Sequence, residues 1–247
     1  MHPFIPIWRW EVPSYTLLLA CGGALSFLLL RIVTIRWCLS YGQYHWVWWC
    51  MLIAFVVAAR IAGMMMIEGA GADQDTLIGG ETSIVGVVSV FALCVVAGRH
   101  LCPQFRFDAL IPSLLLLHFV GKLACALAGC CYGALTTIPV SIPSEWSLSP
   151  LKGARIHPLQ FEEAIAFFAL LILSLVEVKR RCAPGKLVSL YFVGVGIERF
   201  LSIILRGDLR HTEQIIFQVF AFCTIIVGIV LSFGTPSTAR ITKTKHR

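Results

Sequence analysis

The chain has few charged residues for its length. Asp, Glu, Lys and Arg make up 13% of its 247 residues, whereas hydrophobic residues make up 58%. A water-soluble domain carries about twice that charged share, and a chain of this size could not hide so much apolar surface in one core. The sequence also has no internal repeat, no low-complexity linker and no composition shift that would mark a second domain. These deficits argue against a soluble globular protein and favour one compact bundle whose solvent is lipid.

The cysteines lack the spacing of a redox or zinc motif. Cys130 and Cys131 are adjacent, and no C-x-x-C pair occurs. Five of the ten cysteines lie within apolar runs, where a free cysteine packs as a small hydrophobic residue. We therefore expect no metal and no cofactor. A redox protein working through Cys130 and Cys131 is kept as an alternative.

Seven apolar segments predict an all-α, polytopic membrane bundle with seven transmembrane helices. Crossing the hydrocarbon takes about 20 apolar residues, so the chain has room for seven spans and short loops. One transmembrane domain is expected over 1–247, with an interfacial N-terminal arm at 1–13 and a basic cytoplasmic tail at 235–247. The segments are Tyr15–Leu30, Val47–Met66, Ser83–Val96, Ala109–Ala128, Phe161–Val176, Leu187–Leu205 and Ile215–Phe233.

The distribution of Lys and Arg between these segments predicts the orientation. Twelve lie in alternate gaps assigned to the cytoplasm and five in the gaps assigned to the outside. Positive loops stay in the cytoplasm, so this excess predicts an outside N-terminus and a cytoplasmic C-terminus in a bacterial inner membrane. The clustering also shows that the net charge of +7 is a topology signal, so no nucleic-acid partner is expected.

Three basic residues lie inside or at the edge of apolar segments: Arg60, Lys122 and Arg199. A cation at the bilayer centre costs at least about 2.5 kcal/mol unless it snorkels, pairs or faces a wet cavity. Apolar sequence flanks Lys122 on both sides, so snorkelling explains it poorly. Intramembrane charge is therefore the best indicator of a functional site in this chain.

Two stripes of polar side chains are predicted from helical spacing. His118, Lys122 and Cys125 stand at i, i+4 and i+7 of the fourth helix, which places them on one face. Arg199 and Arg206 are seven residues apart and would share a face of the sixth helix, whereas the adjacent Glu198 should point about 100° away from Arg199.

A polar helix start precedes the fifth segment. Pro158 suits the first position of a helix, and His157, Gln160 and Phe161 would then face inward. A helix N-terminus with free N–H groups is a natural anion site. Together with the two basic stripes it suits the phosphate of a lipid headgroup; interhelical hydrogen bonding that merely holds the bundle together is the structural alternative.

Separated blocks of the chain, in order, resemble the prolipoprotein diacylglyceryl transferases. Gly121–Gly133 resembles the signature G-R-x-G-[NC]-F-x-x-G-x-x-x-G in its G-C-C-Y-G variant. Arg155–Glu162 resembles R-x-H-P-[ST]-Q-L-Y-E, and Gly196–Asp208 resembles G-x-x-R-F-x-x-E-F-x-R-x-x-D. Gly79–Gly86 resembles the block that opens the family's third helix, and the resemblance runs from about residue 13 to 233.

The resemblance implies transfer of the diacylglyceryl group of phosphatidylglycerol to the lipobox cysteine of a preprolipoprotein, with release of glycerol phosphate. The implied partners are phosphatidylglycerol, preprolipoprotein signal peptides and membrane lipid. The implied catalytic residues are Arg199, Lys122 and Tyr15. The implied substrate-binding residues are Lys122, Arg206, His157, Gln160, Arg60 and Gly133.

The chain departs from the family pattern at several positions. Lys122 stands in place of an Arg, Ile84 in place of a His, and Val195 and Ile203 in place of a Tyr and a Glu. Two alternatives follow from these departures. One is a divergent paralogue with another lipid or thiol acceptor or with reduced activity; the other is an anion or lipid transporter using the intramembrane Lys and Arg, although no duplicated halves are visible.

Overall fold

The structure is a computed structural model that describes residues 4–7, 10–40, 42–50, 53, 88–96, 105–137, 153–207, 209 and 211–233. Helices dominate these residues. The chain begins with an antiparallel hairpin of β1 (Phe4–Ile7) and β2 (Trp10–Pro13), in which Phe4 is opposite Pro13 and Ile7 is opposite Trp10. The predicted N-terminal arm thus contains a β-hairpin, and the fold is helical with this one addition.

The helices follow the predicted apolar segments but are longer at most ends. The extra residues extend these helices beyond their apolar segments, because backbone hydrogen bonding continues a helix past the last apolar position. Of the second and third segments the structure describes only helical residues 42–50 (α2), residue 53 and 88–96 (α3). The remaining helices are α1 (Ser14–Arg36), α4 (Ile111–Ala128), α5 (Leu159–Lys179), α6 (Lys186–Ile204) and α7 (His211–Phe233).

Several helices present apolar side chains outward. Four stretches of the described chain are long and apolar enough to cross a membrane: Leu17–Arg36, Phe107–Leu127, Lys186–Ile204 and Gln214–Phe233. On α1, Ile32 is 61% exposed, and on α7, Phe222 is 57% exposed. Such surfaces are unfavourable in water and favourable against lipid tails, so the protein is a membrane protein.

The interior is packed with aromatic side chains between α3, α4, α5 and α6. Phe91 stacks on Phe192 at 5.6 Å and meets the edge of Tyr191 at 5.4 Å. His118 stacks on Phe167 at 4.9 Å and shares a 2.9 Å hydrogen bond with the Tyr191 hydroxyl. This pairing supports the structural interpretation of His118, because its polar nitrogen is satisfied within the core.

One end of the bundle, here called the basic end, collects Arg36, Arg106 and residues 179–186. A 3-10 turn, Phe107–Leu110, precedes α4 there. Its buried Asp108 carboxylate accepts hydrogen bonds from the backbone N–H groups of Gly185 (2.7 Å) and Leu187 (2.8 Å), which caps α6 from a distant part of the chain. Arg106 donates to the Cys182 carbonyl at 2.9 Å, so the loop between α5 and α6 is held by the turn before α4.

The opposite end brings together the C-termini of α4 and α6 and the N-terminus of α5. This follows from chain direction, because α4 and α6 both start at the basic end while α5 finishes there. The three sequence blocks that carry the polar motifs therefore end at the same side of the bundle.

Candidate functional site

Three loops form one hydrogen-bonded layer at this opposite end. The loop layer consists of residues 129–137 after α4, 153–158 before α5 and 205–207 after α6. Ala134 donates its N–H to the Leu205 carbonyl at 2.8 Å, and His157 donates to the Ala134 carbonyl at 3.0 Å. The segment after α4 thus lies in the middle, with antiparallel bridges pairing Gly133 with Arg206 and Leu135 with Ile156.

Glycines make this layer possible. Gly129 ends α4 in a left-handed conformation, with φ of 79°, and its N–H closes the last turn on the Cys125 carbonyl. At Gly133 an added Cβ would lie 2.5 Å from the His157 Cβ and 2.6 Å from its carbonyl oxygen. At Gly207 it would lie 2.7 Å from the Gly133 oxygen. All three distances are shorter than a normal contact of a Cβ atom, so only glycine fits at these two positions.

Beneath the loop layer lies a buried charge cluster of Lys122, Glu163, Glu198 and Arg199. The Lys122 ammonium is 2.7 Å from one Glu163 oxygen, and Arg199 Nη2 is 2.7 Å from the other. Arg199 also binds Glu198 through Nε at 2.6 Å and through Nη2 at 2.7 Å. The four side chains come from α4, α5 and α6, so the cluster links the three helices that end here.

The cluster is almost inaccessible to solvent, so the pairing of its positive and negative side chains is important. Side-chain exposure is 4% for Lys122, 1% for Glu163 and 3% for Arg199. Isolated charges at such positions would cost several kcal/mol each, and mutual pairing offsets that cost. The Phe167 ring lies 5.7 Å from the Arg199 guanidinium and adds an aromatic face to the same group.

The helical rise gives the depth of the cluster. Lys122 lies six residues before the end of α4, Arg199 lies five before the end of α6, and Glu163 lies four after the start of α5. At 1.5 Å per residue these positions are about 6–9 Å from the helix ends. The cluster therefore lies close to the loop layer.

Two carboxylates of the cluster were missed or misjudged from the sequence. The expectation that Glu198 would be a poor partner for Arg199 is wrong. The Cβ atoms of adjacent residues do diverge, but both side chains are long enough to curve back and meet. Glu163 was not predicted as a site residue, although its spacing from Gln160 and Phe167 places all three on the buried face of α5.

Arg206 is buried, as a site residue should be, but the prediction that it shares a helical face with Arg199 is wrong. The helix α6 ends at Ile204, and Arg206 lies in the extended segment that pairs with Gly133. Its carbonyl accepts a hydrogen bond from Gln214 at 3.4 Å. The Gly207 that follows explains the early end, because its close approach to the loop layer requires a non-helical path.

At the start of α5 the predicted inward-facing set is only partly correct. Gln160 is buried and donates from Nε2 to the Cys130 carbonyl at 2.8 Å. His157 is partly exposed, with its ring 3.3 Å from a Glu162 oxygen. Phe161 is 49% exposed and points away from the interior, contrary to the prediction. Pro158 is the cap residue and Leu159 the first helical one, so the helix starts one residue later than predicted.

Three further predicted positions cannot be placed in this site. Tyr15 lies in the first turn of α1, but its side chain is outside the described part of the structure. Arg60 and Ile84 lie outside the described residues altogether.

The buried side chains at this end include three cations and two carboxylates. Among the described residues at this end the buried cations are Lys122, Arg199 and Arg206, and the buried carboxylates are Glu163 and Glu198. Lys122 and Arg199 are held by the same carboxylate, so both ammonium and guanidinium groups are oriented before any ligand arrives. A phosphate entering here would exchange carboxylate contacts for phosphate contacts at groups already in position.

Comparison with known proteins matches this chain to one family. A family model described as prolipoprotein diacylglyceryl transferase matches residues 3–233. A protein of Clostridium tetani (strain Massachusetts / E88) named phosphatidylglycerol–prolipoprotein diacylglyceryl transferase is 30% identical over 148 residues, which cover 59% of each chain. A protein of Clostridium perfringens (strain 13 / Type A) named phosphatidylglycerol–prolipoprotein diacylglyceryl transferase 2 is 33% identical over 153 residues, or 60% of this chain and 59% of the relative. The similarity to these relatives thus spans about three fifths of their length.

Proposed function

The chain belongs to the prolipoprotein diacylglyceryl transferase family, and from this premise we propose that it moves the diacylglyceryl group of phosphatidylglycerol to the lipobox cysteine of preprolipoproteins. The relatives' names supply the two substrates. The observation that carries the proposal for this chain is the meeting of Lys122 and Arg199, from two helices, on one buried carboxylate just below the loop layer.

The proposed topology is seven spans with an outside N-terminus and a cytoplasmic C-terminus, in the bacterial inner membrane. The basic end of the bundle supports this orientation, since Lys- and Arg-rich loops stay in the cytoplasm. The loop layer is at the other end and so would face outward, where signal peptides emerge. One transmembrane domain over 1–247, with an arm at 1–13 and a tail at 235–247, remains part of this proposal.

The reaction requires stabilisation of a phosphate that gains charge. The acceptor sulfur attacks the glyceryl carbon that carries the phosphate ester; the new C–S bond forms as the C–O bond breaks, and its electron pair leaves with the phosphate oxygen. The phosphodiester carries one negative charge and the departing glycerol phosphate can carry two. Lys122, Arg199 and Arg206 are proposed to bind the phosphate as that charge develops.

The other predicted residues are proposed to shape the site. Gln160 fixes the Cys130 carbonyl and Gly133 permits the loop layer, while His157 lies at the partly exposed rim. Tyr15 and Arg60 stay proposed site residues on the resemblance alone. The lysine at 122 can serve the phosphate as a point charge, without the bidentate geometry that an arginine would give.

Complementation tests the proposed function directly. The chain should restore lipidation of a reporter lipoprotein in a bacterial strain depleted of its own transferase. The purified protein in detergent should release glycerol phosphate from phosphatidylglycerol when given a lipobox peptide, and should form no thioether from phosphatidylethanolamine. Failure of both assays with well-folded, membrane-inserted protein would contradict the proposal. Accumulation of an anion or lipid across vesicles by that same protein would favour the transporter alternative.

Gly133→Ala should lower the transfer rate by roughly a hundredfold, because a displacement of about 1 Å in a site can cost that much. The added methyl group would overlap His157 and force the middle segment of the loop layer away from its neighbour. The measurement is the transfer rate per folded protein. Gly23→Ala is the matched control, since nothing lies within 4 Å of its new Cβ. Equal rates for the two variants would show that the loop layer does not position the site.

A further inference from the structure

Three cysteine thiols meet at the end of α4. Cys125 lies in the last turn of the helix, and Cys130 and Cys131 follow the turn at Gly129. Their three sulfur atoms all lie within 4.8 Å of one another, and the Cys125 and Cys131 sulfurs are 4.0 Å apart. The sequence-based interpretation considered Cys130 and Cys131 as an isolated pair. The left-handed turn at Gly129 supplies the third thiol by folding the pair back onto the helix.

The spacing of these sulfurs suits a thiophilic metal ion. Sulfur ligands about 2.3 Å from a tetrahedral zinc ion lie about 3.8 Å from one another. The cluster is therefore close to ligand geometry before any ion binds. A disulfide would need the two sulfurs about 2 Å apart, which is half the observed Cys125–Cys131 distance.

The surroundings suit a charged zinc–thiolate centre. A divalent ion with three thiolates carries one net negative charge, and a fourth thiolate adds another. Lys122 and Arg206 both act electrostatically on Cys131 and would offset that charge. Cys125 and Cys131 are buried, whereas Cys130 is partly exposed, so one side of the cluster can be reached. Three protein ligands with one open position are typical of a catalytic rather than a structural zinc site.

We propose that Cys125, Cys130 and Cys131 hold one zinc ion whose open fourth position takes the acceptor cysteine thiol. The first half stands on the thiol geometry, and the second half rests on the proposed function. Binding of the acceptor thiol to zinc displaces water and releases the thiol proton to solvent, because a coordinating thiol is deprotonated. The zinc-bound sulfur then attacks the glyceryl carbon, and the phosphate leaves with the C–O electron pair. This supplies the thiolate that the reaction needs in a chain with Ile84 where the family pattern has a His.

Metal content tests the first half. Protein purified in detergent without chelators should contain about one zinc per chain by plasma mass spectrometry. Replacing any one of the three cysteines with serine should remove most of it, whereas Cys223→Ser, at an exposed cysteine on α7, should not. Replacing zinc with cobalt should give intense sulfur-to-metal absorption. Wild-type protein with neither zinc nor this absorption, or with a disulfide among the three cysteines, would overturn the proposal.

Alkylation tests the site without any substitution, in case a variant misfolds. Zinc should protect Cys130, the partly exposed member of the cluster, from a maleimide, and removing zinc should let it react, as read by peptide mass spectrometry. Cys182 is an internal reference: burial, reinforced by the Asp108 carboxylate, raises the pKa of its thiol to about 11, so it should react slowly with or without zinc. Equal labelling of Cys130 in both states would contradict the zinc site.

The pH dependence of transfer tests the second half. With zinc bound, the rate should change little between pH 6 and pH 8. After chelation the rate should be lower throughout this range. It should then increase about tenfold per pH unit, because the free acceptor thiol, with a pKa near 8.5, ionises as the pH rises. Full transfer by zinc-free protein would refute the thiol-binding role. Stoichiometric zinc in a protein that transfers nothing in any state would instead count against the proposed function and leave the metal site standing.

Discussion

Lys122→Met should reduce diacylglyceryl transfer by about a hundredfold to a thousandfold, because removing one group that stabilises developing charge typically has that effect. The variant keeps the length and apolar stem of the lysine and removes only the charge. Glu163 retains its 2.7 Å contact with Arg199, so the helices stay linked, but removing one partner of a buried pair also lowers stability, and the rate is therefore expressed per folded protein. The measurement is the initial rate of thioether formation with phosphatidylglycerol.

Two companion variants make this result specific. Lys122→Arg should retain or raise activity, since it restores the bidentate phosphate contact that the family pattern has at this position. Lys186→Met is the matched control at the basic end, where the lysine pairs with Glu177 and is 57% exposed in its side chain. Transfer by Lys122→Met within a few-fold of the wild-type rate would remove this lysine from the proposed mechanism. Arg199→Ala should also be inactive, but it removes the described partner of the buried Glu198 and one of the two cations on Glu163, so it tests folding as well.

The helical fold and the convergence of the polar motifs could be predicted from the sequence. The length of the apolar segments is set by the thickness of the bilayer, and the distribution of Lys and Arg is set by the side of the membrane on which each loop lies. Neither depends on which helices pack against each other. Intramembrane charge pointed to Lys122 and Arg199 for the same reason. The structure confirms that both lie in one buried cluster, and their roles in the reaction remain proposals.

The partners of those cations could not be predicted, because they depend on side-chain reach and on where helices end. The angular rule for adjacent residues excluded Glu198, yet its flexible chain returns to Arg199 at 2.6 Å. Arg206 was predicted to lie on the helix because helical spacing was continued past the apolar segment that ends at Leu205, whereas the helix ends at Ile204. The end is set by tertiary contact, where Gly207 packs so closely on the loop layer that an added Cβ would lie 2.7 Å from the Gly133 oxygen. Periodicity describes local structure and does not contain such contacts.

The thiol cluster illustrates the same limit. A linear search for metal motifs expects ligands at fixed short spacings. Here a helix supplies one ligand and the turn after it supplies two, so the spacing of five and six residues becomes meaningful only when the left-handed Gly129 reverses the chain. Glu163 is similar: its neighbour Glu162 is chemically identical, and only the packing of α5 decides which of the two meets the cations.

Glu163→Gln should therefore lower the free energy of unfolding by about 3–5 kcal/mol, the usual cost of removing one partner from a buried ion pair. The amide keeps the shape of the side chain but loses the charge that holds Lys122 and Arg199, each at 2.7 Å. The protein is held in a mild detergent and a denaturing detergent is added in steps. The measurement is the fraction of denaturing detergent at which half of the protein is unfolded.

Glu162→Gln is the control for this prediction, one residue away on the same helix. Its side chain is 43% exposed and its only described ionic contact is the 3.3 Å approach to His157, so the expected change is below about 1 kcal/mol. The difference between the two variants isolates burial and pairing from any general effect of changing a glutamate near the helix start. Equal small shifts would mean that the cluster contributes little net stability.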